Sequence, residues 1–62
     1  MSIPEDFLVE LTNHGEAMGL FEQLSVSHQR EYIKWIEEAK KHATRQSRIQ
    51  KAIQMILEKS SA

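Results

Sequence analysis

Apolar residues recur along this chain at helical spacing, in four separate runs. Phe7, Leu8 and Leu11 form the first, and Ala17, Leu20, Phe21 and Leu24 the second. Tyr32, Ile33, Ile36 and Ala39 share a face in the third, with Trp35 at its edge near His28. Ile49, Ile53, Ile56 and Leu57 form the fourth, with Ala52 beside them and Met55 projecting outward. No stretch alternates with period two, so the pattern predicts an all-α chain. The architecture expected is a small bundle of three to four helices with short connections.

Local signals set the expected boundaries at about 4–12, 16–23, 26–41 and 44–59. Pro4 suits a first helical position, because its missing N–H would be unpaired there anyway. Glu5 and Asp6 follow, where negative charge complements the helix dipole. Asn13, His14 and Gly15 end the first helix, with Gly15 able to take a left-handed cap conformation. Gly19 weakens the second helix by about 1 kcal/mol relative to Ala. Ser25 or Ser27 caps the third helix and Thr44 the fourth. Lys34–Glu38 and Glu37–Lys41 would be i, i+4 ion pairs, and Lys40, Lys41 and His42 would close the third helix's last turn. The linkers are then two to four residues long, and the tail Ser60–Ala62 should fray.

The chain has 62 residues, 40% of them hydrophobic, and no Cys. That length gives one domain, residues 1–62, which buries only about 60% of its unfolded surface. Stability should therefore be marginal, and a second copy or a neighbouring domain would relieve it. The lack of Cys excludes disulfides, zinc knuckles, iron–sulfur clusters and thiol chemistry. No apolar run is long enough to span a bilayer, so no stable membrane insertion is expected. The start MSIPEDF carries no basic and apolar leader pattern, which predicts a cytoplasmic location.

The formal net charge of −1 hides an asymmetry. Residues 1–31 hold six acids and one base, a balance of −5, and residues 32–62 hold seven bases and three acids, a balance of +4. Lys40 to Lys51 carries five bases and no acid. Either the halves neutralise each other inside the fold, or the basic stretch meets an anionic partner.

No catalytic constellation emerges. The serines lie at caps or in the tail, with no G-x-S-x-G elbow and no Gly-rich phosphate loop. His14, His28 and His42 fall at three different helix ends, which predicts no metal site. Glu37 and Glu38 are adjacent and point about 100° apart on a helix, so they do not pair as acid and base. The prediction is a non-enzymatic chain with no cofactor. The notable cluster is Lys40, Thr44, Arg45 and Arg48. Arg45 flanks the apolar stripe, where its stem can cover the core while its fork holds a carboxylate from the acidic half. The alternative is an anionic ligand at this end of the fourth helix. Trp35 reads either as an anchor of the corner between the last two helices or as an interface residue.

The run Trp35-Ile36-Glu37-Glu38-Ala39-Lys40, then Thr44-Arg45 and Arg48-Ile49, resembles the YdeI/OmpD-associated, bacteriocin-protection family. The pattern there reads W-I-x-x-A-K-x-x-x-T-R-x-x-R-I. Ile3-Pro4-Glu5-Asp6, Phe21, Leu24-Ser25-x-Ser27-His28 and Glu31-Tyr32 extend the likeness over about residues 3–57. Val26 stands where the family commonly has Pro. The resemblance implies a small helical domain, often attached to the end of a longer protein, with no catalytic residue. Its names imply association with an outer-membrane porin and protection against bacteriocins or cationic antimicrobial agents. Carried over by position, its motif marks Trp35, Lys40, Thr44, Arg45 and Arg48.

Three functions follow from these features. The first is a protein-interaction module, docking a protein partner or a second copy through the last two helices. The second is a nucleic-acid-binding module using the basic stretch 40–51, whose binding would weaken steeply with salt. The third is a role at the membrane surface.

Overall fold

The computed structural model describes the backbone of residues 3–60 and the side chains of residues 3–58. Four α-helices make the fold: α1 Glu5–Asn13, α2 Glu16–Gln23, α3 Val26–Glu37 and α4 His42–Ser60. No strand occurs among the described residues. The all-α expectation holds, and the connections of two, two and four residues are as short as the pattern required. Ser60 closes α4, while the rest of the expected frayed tail, Ser61 and Ala62, lies outside the described residues.

The four apolar stripes converge on one core. Phe7, Leu11, Ala17, Phe21, Ile36, Ile49 and Ala52 are fully buried, and Ile33, Ile53 and Ile56 nearly so. Phe7 and Phe21 meet edge to face, with centroids 5.4 Å apart and planes at 83°. That geometry sets the positive ring edge against the negative face. α4 packs against each of the other three helices and is the central element. Its 19 residues at 1.5 Å each run about 28 Å, nearly the 31 Å long dimension of the molecule.

The ends of the helices show where local signals lost to tertiary contacts. Ser25 caps α3, its hydroxyl accepting from the His28 N–H at 3.3 Å. The Gln29 amide reaches back to donate to the Glu22 and Leu24 carbonyls, closing the end of α2. Gly15 does not take the left-handed conformation, since no described glycine has positive φ. His14 is the C-cap of α1 instead, its N–H bonding to Glu10. Leu8 was expected in the core stripe but is 37% exposed, because the core packs against the Phe7–Leu11 side of α1.

α3 ends at Glu37, four residues before the expected Lys41. The cause lies in α4. Continuing the α-helix would require the Ala39 N–H to bond the Trp35 carbonyl. That carbonyl instead accepts from Arg48 Nη1 at 2.7 Å. The Ala39 N–H turns to Ile36 at 3.1 Å, in a tighter i→i−3 bond. The Glu37–Lys41 pair therefore has no common helix, and Lys40, Lys41 and His42 close no turn of α3. α4 likewise begins early. The Lys41 carbonyl takes its first rung, from the Arg45 N–H at 2.9 Å, so Lys41 stands at the N-cap place expected for Thr44. Thr44 sits one turn further in, exposed.

Candidate functional site

The two arginines of α4 lie three residues apart and face different environments. Arg45 turns towards α1. Its Nε donates to Asp6 Oδ2 at 2.5 Å and its Nη2 to Asp6 Oδ1 at 3.2 Å. This is the two-pronged fork that matches guanidinium to carboxylate. Asp6 also accepts from the Phe7 N–H at 3.0 Å, in the first turn of α1. The Arg45 hydrogen bonds, reinforced by its charge, hold the Asp6 carboxyl below its ordinary value; partial burial opposes them and loses. The same contact raises Arg45. Four residues on, Glu10 accepts from the Gln50 amide at 3.0 Å. The two contacts ascend together in both helices, so α1 and α4 run in the same sense along this edge.

Asp6–Arg45 joins the acidic half to the basic half. The other bases of the stretch are not neutralised in this way. Lys40, Lys41, Arg48 and Lys51 pair with no carboxylate among the described residues. Internal pairing thus accounts for one cation of the five.

Arg48 turns towards α3. Its Nη1 holds the Trp35 carbonyl, one of the carbonyls that the end of α3 leaves without a partner inside the helix. Its Cζ lies 5.4 Å from the centroid of the Trp35 ring, a cation–π contact. Two contacts thus fix a half-buried guanidinium whose Nε and Nη2 donate to nothing among the described residues.

Two cavities meet at Trp35. One, of about 420 Å³, is lined by Trp35, Ala43, Thr44, Ser47, Arg48 and Lys51. The other, of about 290 Å³, is lined by His28, Glu31, Tyr32, Trp35 and Met55. Neither is enclosed by a lid, and each is of a size to take one or two side chains. The first presents two cations and two hydroxyls; the second is mostly apolar.

The residues marked by the sequence are therefore split. Trp35, Thr44 and Arg48 come together at one cavity. Arg45 is drawn away to Asp6. Lys40 is exposed in the α3–α4 connection and lines neither cavity. Ser47 and Tyr32 belong to the surface but were not foreseen as part of it. Met55 projects out of the core as expected, is half-buried, and shares the apolar cavity with Trp35. One signal marks this surface in the sequence. Thr44, Arg48, Lys51 and Met55 stand at i, i+4, i+7 and i+11, a single face of α4.

Among the described residues, no group of three His, Asp or Glu side chains is placed to hold a metal ion. No helix of the described residues is long and apolar enough to cross a membrane. No curated protein and no solved structure matches the sequence. One family does match, over residues 1–59, and it is described as bacteriocin-protection, YdeI or OmpD-associated. The match takes in all four helices and both cavities, and the chain belongs to that bacteriocin-protection, YdeI or OmpD-associated family.

Proposed function

We propose that this chain is a non-enzymatic, cytoplasmic interaction module that docks a protein partner through the α3–α4 face. The observation that carries the reading is Arg48. It is a half-buried cation, held by Trp35 on one side and without a carboxylate on the other. Trp and Arg are the residue types that most often dominate binding energy at protein interfaces. In the setting the family description names, bacteriocin protection, docking of this kind would be the module's contribution. The nucleic-acid alternative keeps Lys40, Lys41, Arg48 and Lys51, but Asp6 withdraws Arg45 from any phosphate contact.

Site-specific photo-cross-linking in the cell that makes the protein tests the reading. A photoreactive side chain at Ser47 lies on the proposed face, and one at Glu16 lies on α2 away from it. The expected result is a protein adduct from Ser47, none from Glu16, and loss of the Ser47 adduct in an Arg48→Met background that still shows the helical circular-dichroism spectrum. Equal yields from both positions, no protein adduct, or an adduct indifferent to Arg48 would overturn it.

A further inference from the structure

The interaction reading leaves the partner's chemistry open, and the same face narrows it. We infer that the α3–α4 face takes an acidic peptide segment carrying an apolar side chain beside its carboxylates. The inference rests on the interaction reading and adds to it the charge and shape of the partner.

Charge is the first argument. No Asp or Glu occurs from Ala39 to Leu57, so the first sixteen residues of α4 add only positive charge to this surface. Arg48 offers unused donors in a fixed plane, suited to two-pronged binding of a carboxylate. Lys51 lies three residues on, on the same side of α4, and the Thr44 and Ser47 hydroxyls complete the cavity wall. These hydroxyls bond to nothing else among the described residues. Arg48 is already ordered by the Trp35 ring and carbonyl, so binding freezes little further side-chain freedom.

Shape is the second. Trp35 walls both cavities, so a carboxylate against Arg48 brings its neighbouring side chain to the apolar groove of Tyr32, Trp35 and Met55. Met adapts its shape to varied apolar surfaces, which suits a groove that receives a side chain from outside. A bare phosphate would leave that groove empty. A nucleic-acid backbone would call on a row of cations from which Arg45 is missing. Glu31 stands on the rim of the apolar groove and repels carboxylates there. The segment is thus oriented, with its acids over α4 and its apolar side chain towards α3.

The test uses the full chain and three Trp-free octapeptides. One combines Glu and Asp with Phe and Leu, the second replaces the acids with Gln and Asn, and the third replaces Phe and Leu with Ser. A short DNA duplex is the fourth probe. Binding is followed by the Trp35 indole and Arg48 Nε–H resonances and by the fluorescence of the single Trp. The acidic apolar peptide should move both resonances, and each altered peptide should bind about tenfold more weakly or worse. Arg48→Met should lower affinity by a similar factor, while Arg45→Met, measured well below its melting temperature, should stay within about twofold. Equal binding by the neutral peptide would overturn the charge argument, and equal binding by the Ser peptide the groove. Tighter binding of the duplex would overturn the choice of a peptide. If no peptide binds while the Ser47 adduct still forms, this inference fails and the interaction reading stands. If the adduct is absent as well, both fail.

Discussion

Removing the Asp6–Arg45 contact gives the sharpest test of how this bundle is held. The perturbation is a double-mutant cycle of Asp6→Asn and Arg45→Met, which keep shape and stem while removing charge. Two opposite charges about 4 Å apart attract by about 4 kcal/mol at an effective dielectric near 20. Desolvation and the ordering of a long Arg side chain offset most of that. The side chains are 26% and 30% exposed, between a surface pair and a buried one. A net coupling of about 1–2 kcal/mol follows, above the ~0.2–1 of exposed pairs and below the ~3–5 lost when a buried pair is broken. For a domain this small, each kcal/mol moves the melting temperature by about 4–8 °C. Thermal unfolding by circular dichroism is the assay.

The pH dependence has a definite sign. The folded-state pKa of Asp6 is lowered from 3.8, so the unfolded chain binds the proton more readily. The clamp's contribution is complete above the unfolded value and is lost as pH falls through the lower folded value. The stability gap between wild type and Asp6→Asn should therefore be constant from neutral pH down to the ordinary carboxylate range. It should close below that range. A coupling below about 0.3 kcal/mol, within the error of additivity, or a gap that survives at the acid end, would refute the reasoning. Arg45 would then be as available to ligands as Arg48.

Two further substitutions test the local account. Val26 occupies the first position of α3, directly after the Ser25 cap, and is 57% exposed. Val26→Pro, the family's common residue, should stabilise by about 0.4–1 kcal/mol through the unfolded chain, seen as a raised denaturant midpoint with unchanged slope. Gly19 lies inside α2, and a Cβ built on it meets nothing within 4 Å. Gly19→Ala should add about 0.5–1 kcal/mol; a loss in the same denaturant titration would mean that α2 needs its glycine.

The comparison of sequence with structure divides along the range of the interactions. Spacing alone placed Phe7, Phe21, Ile36, Ile49 and Ile53 in the core, because a helix repeats its face every few residues whatever surrounds it. Ser25 was legible as a cap for the same local reason. The end of α3 and the start of α4 were not, because the contact that ends α3 reaches 13 residues along the chain, from Arg48 to Trp35. Projection placed Arg45 beside the core and left it two partners, a carboxylate of the acidic half or an anionic ligand. Only the packing of α1 on α4 chose Asp6, 39 residues away. Met55 was legible as facing out of the core; only the packing of α3 on α4 sets Trp35 on the wall of the same cavity.

The central claim is that Arg45 serves the fold while Arg48, anchored through Trp35, faces a partner. The arginine Nε–H resonances report on both in one spectrum, because Arg45 Nε donates to Asp6 and Arg48 holds Trp35 through Nη1, leaving its Nε free. The account predicts that the Arg45 signal exchanges slowly with water and stays in place when the acidic apolar peptide is added, while the Arg48 signal exchanges fast and moves. A moving Arg45 signal beside a fixed Arg48 signal would contradict it.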